Sequence, residues 1–361
     1  MASSSSRSAL PTSTVKPSSP ASICTWSSGA RRCRELQRAA PVNLARATLI
    51  AAALCGALTV RAEAASPLRF GLSSAGLSYP FAAAIARGFK AAAARAGVQV
   101  VVLDAQNRVQ KQANDLQDLI AERVNGIVLM PLDSVIAESW VNRATRTGIP
   151  VVAVGSQVGN PAHRPLRSVY PELTALVTQD ETAAGREAGR LAARLLPPGR
   201  LARIAIIQGA PGFPEVLQRE NGFKQGLQEA HVRYRIVASQ PGDWRTEAAD
   251  VACQNILEAH PRVSLFFNEA DDMAVGCARA VRSAGSHAKL IGIGGSRLAM
   301  LSLRAGRIDG TVCYKPLKLG ALAFKALYDD VTGKKPLHAA FITYRTPGIT
   351  RANARQCRGQ W

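Results

Sequence analysis

The stretch "GFKAAAARAGVQVVVLDAQ" (Gly88–Gln106) aligns without a gap to "GFKQGLQEAHVRYRIVASQ" (Gly222–Gln240). Gly-Phe-Lys opens both copies and Gln closes both, at a constant offset of 134 residues, from 88 to 222. Each copy reads as the end of a helix followed by an apolar strand. Upstream of the first copy, "LRFGLS" is a strand and Pro80 opens the helix "PFAAAIARGFKAAAARAG". Phe81, Ile85 and Phe89 form one apolar stripe on it at helical spacing, and Gly97 ends it. Downstream, "VQKQANDLQDLIAERV" puts Val109, Ala113, Leu116, Ile120 and Val124 on one face. The short apolar runs "GIVLM" and "IPVVAVG" flank a helix around Trp140. The same alternation restarts at "LARIAIIQGA" and continues to a helix from Pro316.

Strands alternating with helices of this length predict βαβ units and a parallel sheet. Strands that are apolar throughout predict a sheet covered on both faces. The internal repeat then predicts two similar doubly wound α/β lobes, and 361 residues suit about two domains. Open α/β sheets bind ligands at the carboxyl ends of their strands. The candidate segments are therefore Ser73 to Phe81, Asp104 to Asn107, Met130 to Ser134, Gly155 to Gln157, Gly209 to Phe213, Ser239 to Trp244, Asn268 to Asp272, Gly294 to Arg297 and Cys313 to Tyr314. Within them, "LIGIGGSRLAM" (Leu290–Met300) has the look of a phosphate loop but lacks the GxGxxG spacing.

The formal net charge is +20. The first 64 residues hold eight Lys/Arg and two Asp/Glu. The remaining basic residues are scattered, with no basic helix and no interleaved aromatics, which argues against nucleic acid as a partner. Residues 1–40 are rich in Ser, Pro, Arg and Ala and read as disordered. Arg46, the apolar run Ala47 to Val60 and the small-x-small site Ala62-Glu63-Ala64 read as a signal peptide cleaved near Ala64. The run is shorter than the ~20 apolar residues of a membrane span. Its unusually long leader suggests a translation start near Val42. Export to the periplasm would permit disulfides among Cys253, Cys277, Cys313 and Cys357. Four cysteines allow three full pairings, and each thiol also fits a buried apolar site.

The order and spacing of "YPFAAAIARGFKAAAARAGVQVVVLDAQN", "NGIVLMPLDS", "GIPVVAV", "REAGRLAA", "QRENGFKQGL", "VASQPGDW", "ILEAHPRVSLFFNEADDMAVGCARAVRSAG" and "GRIDGTVCYKPLKLGALAFKAL" resemble the ribose-type periplasmic sugar-binding proteins of ABC importers. The resemblance spans about residues 68–345. It implies the type I periplasmic binding protein fold, with crossovers near Thr178, Tyr314 and Phe341. One lobe would hold residues 66–177 with 315–341, the other 178–314 with 342–361, behind a 1–64 leader. It also implies a monomer that closes on a small ligand and docks on an inner-membrane permease, with no cofactor.

Carried over one by one, the family's ligand positions depart from its pattern. The first-loop Asn position is Tyr79, one of two Phe is kept as Phe81, and the second is Ala82. An amide position is Met130, and the Asp-Arg pair is Gly155-Ser156. Arg219, Trp244 and Asp271 are kept, while the Asn before Asp271 is Ala270. The Asp after the penultimate strand is Gly294, and the Gln at a crossover is Tyr314. Sugar sites stack rings on aromatics and bond each hydroxyl with charged or amide groups. The resemblance thus implies a roomier, less polar and less negative pocket, with Arg219 as its cation. That favours a sugar derivative or sugar acid over ribose.

Each of these residues also has a structural reading. Arg219 can pair with Glu215 or Glu220 on its own helix. Trp244 can anchor a lobe, Phe81 belongs to the apolar stripe, and Asp271 can cap the following helix. A sensory receptor of the same fold, feeding a chemoreceptor or histidine kinase, is the alternative function. A transcription regulator would need a DNA-binding helix-turn-helix in place of the Ser/Pro tract. For an enzyme, no HExxH, GxxxxGK[ST] or placeable Ser-His-Asp set exists, and His163, His231 and His287 cluster with no carboxylate pair.

Overall fold

The computed structural model describes residues 67–361; the leader, its cleavage site and the proposed start lie outside them. Two six-stranded sheets organise the chain. In the first, β1 (Arg69–Ser74), β2 (Gln99–Asp104), β3 (Gly126–Leu129), β4 (Val151–Val154), β5 (Ala175–Val177) and β11 (Ala340–Ile342) lie in the order β11-β5-β4-β3-β1-β2. Every pairing in it is parallel. In the second, β6 (Ala202–Gln208), β7 (Tyr234–Pro241), β8 (Leu265–Asn268), β9 (Lys289–Gly294), β10 (Gly310–Cys313) and β12 (Gly348–Ile349) lie in the order β12-β10-β9-β8-β6-β7. Only β12 runs antiparallel to its neighbour there.

The apolar strands are covered on both faces because successive side chains point to opposite sides. Val128, Val152 and Val154 face α1 (Pro80–Arg95) and α9 (Pro316–Val331). Their neighbours Ile127, Leu129, Val151 and Ala153 face α2 (Val109–Ala121) and α3 (Ile136–Arg146). In the second lobe, Ile204, Ile206 and Phe267 pack under α4 (Glu181–Leu195) and α5 (Pro214–Glu229). Ala205, Ile207 and Phe266 face α6 (Thr246–Ala259), α7 (Asp271–Ser283) and α8 (Arg297–Arg304).

The internal repeat is structural. Helices α1 and α5 both have 16 residues and start on a proline, Pro80 and Pro214. Proline suits the first helical turn, where its missing N–H has no partner to lose. Past the two helix ends, Gly97 and its repeat mate His231 share a left-handed backbone, with φ of 68° and 53°.

The chain passes between the sheets at 178–180, 314–315 and 343–347. The third passage lies beyond Phe341, because Phe341 is the middle residue of β11 and pairs with Leu176. Tyr344 joins all three passages. Its hydroxyl accepts from the Lys315 N–H at 2.8 Å and donates to the Gln179 Oε1 at 3.5 Å. The pairing left open by sequence is Cys253 with Cys277 and Cys313 with Cys357. The first bond ties α6 to α7 inside their shared core, and the second ties β10 to the segment after a short 3-10 helix, Arg351–Gln356.

Candidate functional site

The strand ends of both sheets meet at a cavity of about 130 Å³ between the lobes. Nine of the ten residues expected there line it: Tyr79, Phe81, Met130, Arg219, Trp244, Ala270, Asp271, Gly294 and Tyr314. The tenth, Ser156, is buried behind the wall, and its neighbour Gly155 lines the cavity instead. The segment Asp104 to Asn107 stays outside. There the Asp104 carboxylate accepts from the backbone N–H groups of Leu77 and Gln106, each at 3.0 Å, and shapes the turn.

Arg219 is not a free cation. Its Nε and Nη2 donate to the two oxygens of Glu181 at 2.7 and 3.0 Å, and Nη1 donates to the Glu269 carbonyl at 2.7 Å. Burial works against its charge, but Glu181 more than offsets this and keeps the guanidinium protonated. Its plane lies between the rings of Trp244 and Tyr314, 5.3 and 5.5 Å from their centroids. The Tyr314 hydroxyl donates to Glu181 at 2.5 Å, as does the Gln179 side-chain amide. The structural alternative for Arg219 paired it with Glu215 or Glu220 of its own helix. The actual partner comes from α4, because α4 and α5 approach very closely. A Cβ on Gly185 would collide with the Arg219 carbonyl, and one on Gly222 with the Thr182 carbonyl.

The positions carried over for the ligand omit part of the pocket's acidic lining. Glu181, Glu215, Asp271 and Asp272 all line it, and Arg219 is the sole cation among the described lining residues. Burial, reinforced by the charge of Glu181, pushes Glu215 up to about 7, with Arg219 pulling the other way. Its Oε2 is buried without a hydrogen-bond partner. Behind the wall, burial pushes Glu269 up to about 8; one of its oxygens accepts from Gly209 N–H at 2.8 Å and the other has no partner.

Asp271 does not cap α7. The N-cap is Ala270, and Asp271 is the first helical residue. Its Oδ2 accepts from Ser296 N–H at 2.7 Å and its Oδ1 from the Thr311 hydroxyl at 2.6 Å. It thereby locks the turn after β9 to β10. Burial raises it to about 7, and the Thr311 and Ser296 hydrogen bonds oppose that rise.

Aromatic side chains supply the rest of the wall. Phe81 meets Tyr314 across the lobes at 6.1 Å between centroids, and Phe213 meets Trp244 edge-on at 6.0 Å. Phe213 is the repeat mate of Tyr79, and both precede a proline at a helix start. Sequence reasoning missed Gln179, Glu181, Glu215 and Trp361. The repeat carried a signal for one of them, since Glu215 stands 134 residues after Phe81. Among the described residues no group of His, Cys, Asp and Glu is placed to hold a metal ion, and no helix is long and apolar enough to cross a membrane.

Residues 70–335 match a periplasmic binding protein domain. The ribose import binding protein of Bacillus subtilis (strain 168) is 29% identical over 265 residues, 73% of this chain and 82% of that protein. The D-allose-binding periplasmic protein of Escherichia coli (strain K12) is 31% identical over 265 residues, covering 72% of this chain and 83% of that one. The crystal structure of the Caulobacter myo-inositol binding protein, bound to myo-inositol, superposes with a TM-score of 0.72 at 27% identity, over 80% of this chain and 95% of that one. With two parallel-sheet lobes, three crossovers and a cavity at the strand ends, this chain belongs to the periplasmic binding protein family, in the type I fold of its ribose-type members.

Proposed function

We propose that this protein captures one small polyhydroxylated ligand, a neutral sugar derivative or polyol other than ribose, and delivers it to an ABC permease. The reading rests on the interlobe cavity of about 130 Å³ walled by Tyr79, Phe81, Trp244 and Tyr314. Aromatic rings offer flat apolar faces to the C–H faces of a sugar or cyclitol. Glu215 and Asp272 line the cavity and are the carboxyl groups left to meet hydroxyl groups. The relatives named above bind ribose, D-allose and myo-inositol.

A sugar acid is disfavoured within this reading. Arg219 is matched by Glu181 in a bidentate pair, so an anionic ligand would find no free cation among the described lining residues. Ribose is disfavoured because four positions that hold hydrogen-bonding side chains in the ribose-type pattern are Met130, Gly155, Ala270 and Gly294 here. Capture proceeds by closure of the two lobes about the three passages joined at Tyr344, in the periplasm of the exporting cell.

Isothermal titration calorimetry with D-allose, myo-inositol, D-ribose and D-glucuronate tests this. A neutral hexose or cyclitol is expected to bind, and ribose and the acid are not. Micromolar ribose binding refutes the specificity, and tighter binding of the acid than of neutral sugars refutes the charge reasoning.

A further inference from the structure

The residues Cys357 to Trp361 make contacts to both lobes. Cys357 is bonded to Cys313 at the end of β10. The Arg297 N–H donates to the Trp361 carbonyl at 2.9 Å. Gly359 lies so close to α8 that a Cβ on it would stand 2.6 Å from the Arg297 Cα. These contacts fix the segment to the second lobe. The first lobe is reached by its last two residues. The Gln360 side-chain oxygen accepts from Leu317 N–H of α9 at 3.0 Å, and its carbonyl accepts from Arg87 of α1 at 3.3 Å. The Trp361 indole meets Phe81 of α1 edge-on, 5.5 Å between centroids.

The indole lies in the cavity wall, in space that a side chain at 294 would claim. A Cβ on Gly294 would stand 3.1 Å from Trp361 Cζ2 and 3.0 Å from Asp271 Oδ2. A hydrogen-bonding side chain at 294 would therefore crowd the indole of Trp361, and the two compete for the same part of the wall. We propose that Trp361 is a ligand-contacting, specificity-determining residue of the interlobe site, that it replaces the polar side chain missing at 294 with an aromatic face, and that the Cys313–Cys357 bond holds it there. The ligand part of this assignment rests on the capture reading above; the placement of the indole does not.

Two measurements separate these parts. The first needs no ligand. Acrylamide quenching is compared between the wild type and Trp361→Phe, so that the difference isolates Trp361. The difference signal is expected to be shielded in the oxidised protein and exposed in Cys313→Ser/Cys357→Ser. Free quenching of Trp361 in the oxidised wild type overturns the placement. The second is calorimetry with D-allose and myo-inositol on the wild type, Trp361→Ala and Trp361→Phe. Loss of one indole face is expected to weaken binding about tenfold in Trp361→Ala, with Trp361→Phe retaining most of the affinity. Equal or tighter binding by Trp361→Ala overturns a contact role, and tighter binding would make the indole a plug. If the wild type binds neither probe, the capture of such ligands fails, and the ligand role of Trp361 falls with it, while the quenching result still decides where the indole sits.

Discussion

Substituting Glu215→Gln should flatten the pH dependence of folding stability in a window set by burial. The carboxyl of Glu215 is driven from 4.5 to about 7 in the folded protein, by burial first and by Glu181 second. An unfolded chain returns it to its ordinary value. Between roughly pH 4.5 and 7 the native state therefore holds a proton that the unfolded state has released. Stability then falls as pH rises, at about 1.4 kcal/mol per pH unit for one such group, and levels off above the folded value. Across the whole window Glu215 alone contributes about 3 kcal/mol. Asp271 and Glu269, pushed up to about 7 and 8 by burial, act in the same direction. The wild type should accordingly be more stable at pH 5 than at pH 8. Glutamine keeps the shape and a hydrogen-bonding end but has no proton to lose, so it removes the Glu215 contribution alone. Urea denaturation of both proteins at pH 5, 6, 7 and 8 gives the two curves. They should converge at low pH and separate with rising pH, with Glu215→Gln the more stable. Parallel curves would show that Glu215 titrates at its ordinary value, and the charge balance drawn for the cavity would be wrong.

Arg219→Met should cost about 3–5 kcal/mol in urea denaturation, because it strands Glu181, which is 1% exposed, without its guanidinium. A loss below 1 kcal/mol would mean that water reaches Glu181 in solution. Cys253→Ala/Cys277→Ala should lose about 3.5 kcal/mol, the chain-entropy value for a bond between residues 24 apart; unchanged stability in non-reducing denaturation would contradict the pairing. Gly294→Asp should lower the melting temperature and expose Trp361 to acrylamide. It places a second carboxylate beside Asp271, presses on the indole, and asks a non-glycine residue to adopt φ of 147°. A mutant with wild-type quenching would show that the indole and a side chain at 294 do not compete.

The lobes were legible in sequence because their cause is local and repeated. Apolar β-branched runs bounded by Gly and Pro can be buried on both faces only in a sheet covered by helices. The 134-residue offset ties one lobe to the other, and it survives in the paired helix starts Pro80 and Pro214. The last crossover was legible only approximately. Strands β11 and β12 have three and two residues, too few for any period to register. The cysteine pairing was not legible at all, since it depends on the crossing of α6 with α7 and on where the segment after the 3-10 helix returns.

The site shows why aligned positions alone misjudge a pocket's charge. Glycine at 155 and at 294 reads, from the resemblance, as two polar side chains missing from the pocket. What fills the space comes from elsewhere in the chain: the Met130 methyl would lie 3.5 Å from a Cβ at 155, and the Trp361 indole 3.1 Å from one at 294. The negative charge meanwhile returns on helices. Glu181 enters from the start of α4 and Glu215 from the first turn of α5, neither at a strand end. Glu181 then consumes the Arg219 charge that the aligned positions leave free. The cavity is consequently walled by Met130 and Trp361 beside the two glycines, and it carries carboxyl groups on Glu181 and Glu215 that the aligned positions do not include. A ligand matching both changes presents a wider apolar face to Trp361 and Met130, carries its hydroxyls toward Glu215, and bears no negative charge.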